Sequence, residues 1–301
     1  MRVFVTGATG FIGAAIAREL QAAGHQVLGL ARNDAAVATL ASMGVEAHRG
    51  ELSDTASLVA GARACDGVIH MAFIHDFKAY AASVETDLRA VDALVQALEG
   101  SGKPLISTCG TAVLGGGRTG TEADAPTPGS AGFMRAASEA KVLAAAARGV
   151  RASEVRLAPS VHGAGDHGFV PMLIDIARRK GVAAYVGDGA NRWPAVHRSD
   201  AARLYRLALE GAAPGSRLHG VAEQGVPMRE IAEQIGRGLG VPVRSLDVDA
   251  ARAHFEWMTG FVAMDNPCSS EITRHALGWH PTGPGLLEDM RDNGYFRTRS
   301  A

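Results

Sequence analysis

The amino-acid sequence predicts an α/β protein with an open, doubly wound parallel sheet and a smaller C-terminal α/β lobe. Short apolar runs alternate with longer stretches of helical periodicity through the first half of the 301-residue chain. Several runs lack the period-two alternation of half-exposed strands, as expected of strands buried on both faces. Strands and helices in this order build βαβ units with right-handed crossovers. After about residue 159 the pattern changes to helices joined by loops that contain glycine and proline.

The individual elements follow from residue type along the chain. Strands rich in Val, Ile and Leu are predicted at residues 2–6, 26–31, 67–72, 104–108 and 152–157, with a weaker strand at 45–48. Helices are predicted at 11–23, 34–43, 55–62, 80–98 and 132–148, and then at 170–180, 199–210, 229–239 and 249–259. Glycines at 24, 44, 100 and 149 mark helix ends. We expect a sheet domain over 1–160 and a smaller lobe over 161–301, with some interleaving of the chain.

Composition and charge exclude several classes of function. Thirty basic against thirty-one acidic side chains give a formal net charge of −1, which provides no cationic field for nucleic acid or anionic lipid. No apolar run reaches the roughly 18 residues that a membrane-spanning helix needs. Cys65, Cys109 and Cys268 are far apart and odd in number, and the His, Asp and Glu residues lack metal-ligand spacing. We therefore expect a cytoplasmic protein with a small-molecule substrate and no metal.

A glycine-rich turn follows the first predicted strand and opens the first helix. Gly7, Gly10 and Gly13 have the spacing G-x-x-G-x-x-G, one residue wider at its start than the standard dinucleotide fingerprint. Such glycines permit a sharp turn, close approach of the backbone to a pyrophosphate, and close packing of helix on strand. The free N–H groups of the helix terminus attract phosphate. We predict a dinucleotide site that also includes Thr9, Phe11 and Ile12.

Together with this loop, four segments resemble the extended short-chain dehydrogenase/reductase superfamily, which includes sugar-nucleotide epimerases and dehydratases. They are Gly50-Glu51-Leu52-Ser53-Asp54, His70-Met71-Ala72, the stretch from Arg156 to Gly163, and the stretch from Ala195 to Asp200. The resemblance runs over almost the whole chain. It implies a Rossmann-type NAD(P)-binding domain and a substrate-binding lobe, and a homodimer formed through the helices at 80–98 and 132–148. It also implies cofactor contacts from Glu51, Leu52, Met71, Ala72, Phe73, Pro159, Val161 and His162.

The end of the second strand bears on the choice of cofactor. NAD-preferring folds place an acidic residue here to accept hydrogen bonds from the ribose 2′-hydroxyl. This chain has Arg32 at the strand end, and its first acid, Asp34, already belongs to the next helix. A guanidinium group can hold a 2′-phosphate by paired, charge-assisted hydrogen bonds. We therefore predict NADP(H) rather than NAD(H).

The resembled superfamily uses a Ser or Thr together with a Tyr and a Lys at positions i and i+4 of one helix. No tyrosine occurs between Tyr80 and Tyr185, so this pattern is incomplete. If Lys141 is the family lysine, Ala137 stands in the tyrosine position. If Glu139 matches the acid that commonly follows the lysine by four residues, Arg135 takes the lysine place and Ala131 the tyrosine place. We prefer the second alignment, in which Arg135 binds ribose hydroxyls but cannot shuttle protons.

Other groups are candidates for replacing the phenol. Thr108, Cys109 and Thr111 leave the fifth strand and are plausible neighbours of the nicotinamide. His75 follows the fourth strand at the carboxyl edge where parallel sheets bind ligands, and imidazole can act as acid or base near neutral pH. Asp76 is a candidate to orient His75 or to contact substrate. A loop or helix-cap role for this pair is the alternative.

The second lobe contains the candidate substrate residues. Phe169 and Met172 suggest an apolar pocket wall, and Trp193 is either part of that wall or a packed hinge between lobes. Few cationic residues gather there, which disfavours a nucleotide-sugar substrate. We therefore predict an NADP(H)-dependent oxidoreductase that acts on a small or medium apolar carbonyl or alcohol. The alternatives are a redox-neutral epimerase, dehydratase or isomerase with tightly held cofactor, and a non-catalytic NADP(H) sensor.

Overall fold

A seven-stranded parallel sheet forms the centre of the computed structural model, which describes residues 1–297. Its strand order is β10-β6-β5-β4-β1-β2-β3. The strands within residues 1–297 are β1 (Arg2–Thr6), β2 (Gln26–Ala31), β3 (Glu46–Arg49), β4 (Gly67–His70), β5 (Pro104–Gly110), β6 (Arg151–Leu157), β7 (Ser160–His162), β8 (Ala183–Val186), β9 (Arg192–His197), β10 (Ser216–Gly220), β11 (Glu223–Pro227) and β12 (Val243–Leu246). The predicted fold class is confirmed.

Helices cover both faces of this sheet. Over residues 1–297 the helices of both lobes are, in chain order, α1 (Phe11–Ala22), α2 (Asp34–Ser42), α3 (Thr55–Arg63), α4 (Tyr80–Leu98), α5 (Ala136–Ala144), α6 (Phe169–Lys180), α7 (Arg198–Gly211), α8 (Met228–Leu239), α9 (Val248–Phe255), α10 (Thr259–Val262), α11 (Glu271–Leu277) and α12 (Leu286–Asp292). Helices α1 and α7 pack together and share one buried apolar cluster with the sheet. Helices α3, α4 and α5 share another, so each face of the sheet has its own core.

The smaller lobe has a separate core. It contains the three-stranded sheet β11-β9-β7 and the two-stranded sheet β12-β8. Val170, Trp193, Ile231 and Phe255 are buried among the apolar side chains that fill this lobe. The lobe is thus a second packed unit beside the large sheet.

The boundary predicted at residue 160 is too simple. Helix α7 packs on α1, and β10 pairs in parallel with β6 at the edge of the seven-stranded sheet. The chain therefore returns from the small lobe to complete the large one. The physical reason is burial, because Leu204, Tyr205 and Leu209 of α7 are fully buried in the core formed with α1. The interleaving that we expected is extensive.

Two predicted helices are broken. The stretch 132–148 begins and ends in short 3₁₀ helices, Phe133–Arg135 and Ala145–Arg148, with α5 between them. The stretch 249–259 stops at Glu256, whose φ of +54° ends α9 before a further 3₁₀ turn. In residues 1–297 no helix has the length and apolar character needed to cross a membrane.

Candidate cofactor and active site

The glycine-rich loop lies where the strand order of the sheet reverses, between β1 and β4. Gly7 has a φ of +73°, and a Cβ atom there would lie 3.0 Å from the backbone nitrogen of Ala72. A Cβ atom at Gly13 would lie 2.0 Å from the carbonyl oxygen of Gly7. The first and third glycines are therefore required for the close packing of the β1 loop, the β4 loop and α1. Crevices at such reversal points bind dinucleotides.

The N-terminus of α1 is free to bind an anion. Its N-cap, Gly10, provides no side-chain hydrogen bond, and Thr9 and Gly10 are exposed. Within residues 1–297, the backbone N–H groups of Phe11, Ile12 and Gly13 have no carbonyl partner. The Arg198 guanidinium lies 5.0 Å from the centre of the Phe11 ring and adds positive charge nearby. These residues fit the diphosphate of a dinucleotide cofactor.

Thr6 joins the β1 loop to the β4 loop. Its hydroxyl oxygen accepts hydrogen bonds from the backbone nitrogens of Met71 at 3.1 Å and Ala72 at 3.2 Å. The same hydroxyl lies 2.9 Å from Nδ1 of His70. Because the oxygen already accepts two bonds, its proton goes to Nδ1, and the proton of His70 is on Nε2. The sequence interpretation missed Thr6, although it begins the glycine motif.

Replacing Thr6 with valine is expected to destabilise the protein by about 1–3 kcal/mol, because two buried backbone N–H groups and Nδ1 of His70 lose their partner. Chemical denaturation followed by circular dichroism measures this loss. The matched control is Thr39→Val, since Thr39 is exposed on α2 and bonds only to the carbonyl of Ala35. Equal stabilities of the two variants would contradict the assigned role.

A buried polar network lies beneath the carboxyl ends of β4 and β5. Asp87 of α4 accepts a hydrogen bond from Arg135 at 3.0 Å and another from Ser138 at 2.7 Å. Nε2 of His70 faces the same carboxylate at 3.5 Å. Burial opposes ionisation of Asp87, but His70 and the Arg135 charge outweigh it, and its pKa lies below the ordinary value. The signal that could have found Asp87 is an acid on the apolar stripe of a helix.

Arg135, and not Lys141, lies at this network. Arg135 also donates a 2.8 Å hydrogen bond to the carbonyl oxygen of Thr108 at the end of β5. Lys141 is exposed and pairs with Asp92 at 2.7 Å on the outer surface. Six residues along a helix correspond to a rotation of about 240°, which directs the two side chains differently. Lys141 is therefore corrected to a surface residue, whereas the contact of Arg135 with ribose stays a prediction.

Thr108 does not present a free hydroxyl to a ligand. Its Oγ1 donates to the carbonyl oxygen of His70 at 2.8 Å. The hydroxyl of Tyr205, on α7, lies 2.8 Å from Oγ1 of Thr108 and donates a hydrogen bond to it. Both hydroxyls are thus committed to holding α7 against the sheet, which corrects the prediction of Thr108 as a proton donor.

Cys109 and Thr111 also have structural surroundings. Burial raises the pKa of the Cys109 thiol to about 12, so it is not a thiolate near neutral pH. Thr111 is fully buried and donates a 2.7 Å hydrogen bond to the side-chain oxygen of Asn266. These contacts fix the end of β5 to the C-terminal part of the chain. The catalytic roles predicted for both residues are corrected accordingly.

The loop after β4 brings His75 to the site, whereas Asp76 closes the turn that precedes α4. The Asp76 carboxylate accepts hydrogen bonds from the backbone nitrogens of Lys78 at 2.9 Å and Ala79 at 3.3 Å. The exposed His75 contacts the Phe73 ring, with centroids 5.2 Å apart. Partial burial and the Arg135 charge lower the pKa of His75, which favours neutral imidazole. Asp76 therefore does not orient His75, and its role is to hold the loop before α4.

Glu154 is a buried carboxyl group behind the site. It lies on β6 opposite Ser107 of β5, and it is 1 % exposed. Burial raises its pKa from the ordinary value of 4.5 to about 8, against the opposing charge of Arg135. The group is consequently protonated in the folded protein at neutral pH. The sequence interpretation did not single it out.

Replacing Glu154 with glutamine is expected to remove a pH dependence of stability. Between pH 4.5 and about 8 the unfolded chain ionises this group while the folded protein keeps its proton. Compared with the variant, the wild-type protein therefore loses up to about 1.4 kcal/mol of unfolding free energy for each pH unit of increase. Thermal unfolding of both proteins at pH 5, 6.5 and 8 measures how the stability difference between wild type and Glu154→Gln changes with pH. A gap that stays constant over this range would refute the assignment.

An open pocket of about 570 Å³ is lined in part by Ala131, which lies four residues before Arg135 in the chain. One wall comes from the segment after β5 and the other from the C-terminal part; the lining residues are Leu114, Gly115, Gly116, Gly129, Ser130, Ala131, Trp257, Gly260, Phe261, Met264 and Asp265. The Asp265 carboxylate is paired with Arg192 at 3.1 Å. The rest of the lining is uncharged.

Aromatic side chains connect this pocket to the loop after β4. The rings of Phe77 and Trp257 stack with centroids 4.5 Å apart, and those of Phe169 and Phe261 with centroids 5.0 Å apart. We call Phe77, Phe169, Trp257 and Phe261 the aromatic wall. Phe169 thus lies where an apolar wall was predicted. The other three were missed, because they are distant in sequence and share no local motif.

Three further predicted residues lie in the interior. Trp193 is fully buried and donates to the carbonyl of Phe261 at 3.0 Å, so it is a core residue of the small lobe and not part of the pocket lining. Met172 packs half-buried against the same core. His162 is 1 % exposed and bonds to Asp289 at 2.9 Å, which corrects its prediction as an open cofactor contact.

The adenosine end of the expected cofactor site is more open. Arg32 is exposed at the end of β2, and none of residues 1–297 hydrogen-bonds its side chain. Glu51 is exposed and accepts a hydrogen bond from Ser53 at 2.6 Å, and Leu52 packs on the sheet core. Met71, Ala72 and Phe73 follow β4, which ends at His70 and not at Ala72, and their contacts with cofactor stay predictions. Contacts of Pro159 and Val161 with cofactor stay predictions.

Comparison with known proteins agrees with this geometry. Residues 3–218 match the NAD dependent epimerase/dehydratase family. An uncharacterized protein of Schizosaccharomyces pombe is 48 % identical over 298 residues, which covers 98 % of this chain and 100 % of the yeast protein. The 2-alkyl-3-oxoalkanoate reductase of Stenotrophomonas maltophilia is 31 % identical over 260 residues, covering 80 % of this chain and 77 % of that enzyme.

Among solved structures, a dTDP-glucose 4,6-dehydratase of Streptomyces venezuelae with NAD bound has the same fold. It superposes with a TM-score of 0.80 at 22 % identity and covers 99 % of this chain and 98 % of its own. The predicted resemblance is therefore confirmed. The chain belongs to the NAD dependent epimerase/dehydratase family.

Proposed function

We propose that the protein is an NADP(H)-dependent oxidoreductase that acts on a small or medium apolar carbonyl compound or alcohol. The observation that carries this proposal is the open pocket that Ala131, Trp257 and Phe261 help to line. Its lining contains one charged side chain, Asp265, and that carboxylate is paired with Arg192. Such a lining favours an apolar substrate over the diphosphate of a nucleotide sugar, which would require unpaired cations.

The chain's own residues provide binding and orientation in this proposal. A bound nicotinamide supplies or accepts the hydride. The glycine loop holds the diphosphate, and Arg135, which is hydrogen-bonded to the carbonyl oxygen of Thr108 in β5, donates to the ribose hydroxyls. The aromatic wall excludes water from the reacting carbonyl group. The reductase name of the Stenotrophomonas relative supports net reduction.

The proposal is tested by NADPH consumption with a panel of aldehydes, ketones, enones and imines, together with product analysis. NADH is run in parallel. We expect turnover with one substrate class and a preference for NADPH. A protein that binds NADPH but consumes none would contradict the proposal, and would favour redox-neutral chemistry or a nucleotide sensor.

The proposed NADP(H) preference depends on Arg32. The Arg32→Ala variant is expected to weaken NADPH binding about 10- to 100-fold and NADH binding less than about 3-fold, because only NADPH carries the 2′-phosphate. Fluorescence titration measures both affinities. The control is Arg63→Ala, since Arg63 ends α3 at the opposite edge of the sheet. An equal loss for both cofactors would exclude Arg32 as the phosphate-binding residue.

A further inference from the structure

A tyrosine ring lies at the candidate active site, although the helix that carries Arg135 has none. Tyr80 is the first residue of α4, which follows the loop after β4. Since β4 ends at the carboxyl edge of the parallel sheet, the N-terminus of α4 lies at that edge too. Parallel sheets bind their ligands there.

Helix geometry relates Tyr80 to the buried network. Tyr80, Val84 and Asp87 are spaced i, i+4 and i+7, which places them on one face of α4. Asp87 contacts Arg135 in the interior. Seven residues correspond to a rise of about 10 Å, and helical side chains tilt toward the N-terminus. The half-buried Tyr80 ring therefore lies above Arg135, on the side from which ligands enter.

Ring contacts place Tyr80 between Arg135 and the aromatic wall. The Arg135 guanidinium lies 4.3 Å from the Phe73 ring centroid, and the Phe73 and Tyr80 rings are 5.8 Å apart. On its other side Tyr80 stacks with Phe77 at 6.1 Å, and Phe77 stacks with the pocket residue Trp257. Four aromatic rings thus connect the cation to the pocket.

The Tyr80 hydroxyl is available, in contrast to two other phenols of the chain. Across residues 1–297 no group forms a hydrogen bond with it, whereas Tyr205 bonds to Thr108 and Tyr295 bonds to Asp166. Burial, Cys109 and Asp87 raise the pKa of Tyr80, and Arg135 lowers it. The net shift is upward, so the phenol holds its proton at neutral pH, and Arg135 stabilises the phenolate that remains after donation.

We propose that Tyr80 is the catalytic acid that protonates the substrate oxygen during reduction. This inference rests on the proposed function. As hydride reaches the carbonyl carbon, the C=O π electron pair moves to oxygen, and the Oη–H bond of Tyr80 breaks to give an O–H bond on the product. The phenolate regains its proton from water at the exposed side of the ring. Alcohol oxidation reverses each transfer.

The decisive variant is Tyr80→Phe, which keeps the ring contacts and removes only the hydroxyl. We expect kcat to fall about 10²- to 10⁴-fold, as for loss of a general acid, with NADPH affinity and KM changed less than about 3-fold. The matched control is Tyr185→Phe on β8, which should keep full activity. A Tyr80→Phe variant that keeps kcat within threefold would overturn the inference. A larger loss in His75→Gln than in Tyr80→Phe would instead make the imidazole the acid.

A second measurement needs neither substrate nor cofactor. Ultraviolet difference absorbance titrates the phenols of the apoprotein, and Tyr80→Phe identifies the ionisation that belongs to Tyr80. Asp87→Asn should move the Tyr80 ionisation to lower pH, and Arg135→Gln should move it to higher pH. If Arg135→Gln does not fold, Arg135→Lys is used instead; it keeps the positive charge and should leave the ionisation where it is in the wild type. If Asp87→Asn does not lower the pH at which Tyr80 ionises, the placement of Tyr80 at the site is overturned. Wild-type protein that consumes no NADPH would contradict the proposed function alone, because this titration judges Tyr80 independently.

Discussion

The Gly13→Ala variant is expected to lose cofactor affinity by at least about 100-fold. Its Cβ atom would lie 2.0 Å from the carbonyl oxygen and 2.8 Å from the carbonyl carbon of Gly7. Both are backbone atoms, so no flexible side chain can move aside, and the loop or the start of α1 must shift. Such overpacking costs about 1–3 kcal/mol of stability. Because the same backbone segment presents its N–H groups to the diphosphate, binding suffers more than folding.

Isothermal titration with NADPH and thermal unfolding measure the two effects separately. The control is Gly211→Ala at the end of α7, where no atom lies within 4 Å of the added Cβ. We expect this control to bind NADPH like the wild type and to be slightly more stable, since alanine favours helix. Wild-type affinity in a folded Gly13→Ala protein would show that the phosphate lies elsewhere.

The Asp87→Ala variant is expected to be the most destabilising substitution of a charged residue at the site, with a loss of about 3–5 kcal/mol. It leaves the buried Arg135 guanidinium and the Ser138 hydroxyl without their shared acceptor, and it removes the charge that faces Nε2 of His70 at 3.5 Å. The matched control is Asp92→Ala on the same helix, because Asp92 pairs with Lys141 at the surface. Surface pairs contribute about 0–1 kcal/mol. Urea denaturation of both variants measures the difference.

The Asp87 contribution also has a defined pH dependence. Its folded-state pKa is lowered, so the stabilisation is complete above the ordinary aspartate pKa and is lost as the pH falls through the folded value. The stability gap between wild type and Asp87→Asn should therefore narrow below about pH 4 and stay constant from pH 5 to 7. If the stability difference between wild type and Asp87→Asn is as large at pH 2 as at pH 7, the negative charge of Asp87 is not what stabilises the buried Arg135.

The sequence predicted those parts of the site that depend on neighbouring residues. The glycine loop is contiguous, and its spacing alone implied the sharp turn and the close helix packing that the structure has. Arg135 is preferred over Lys141 because the resemblance implies an acid four residues after the family lysine, and Glu139 is four residues after Arg135. Local spacing is sufficient where one short element fixes the geometry.

Residues that are paired by packing could not be assigned in this way. Thr108, Cys109 and Thr111 have the chemistry of active-site groups, but their partners Tyr205 and Asn266 come from distant parts of the chain. The sequence does not show whether a hydroxyl or thiol already donates a hydrogen bond within the protein, or whether it is buried away from water. Those conditions decide reactivity, and both arise only when the elements pack.

The sequence by itself determined the α/β class, the order of the first strands and the dinucleotide loop, since periodicity and glycine spacing are local properties. Only the tertiary structure decided that α7 and β10 return to the large lobe, and that Trp193 is core while Trp257 lines the pocket. It also placed Tyr80 over Arg135. The physical reason is that a side chain becomes buried only when segments distant in sequence pack against each other. The residues of one segment alone do not determine which other segment packs on it.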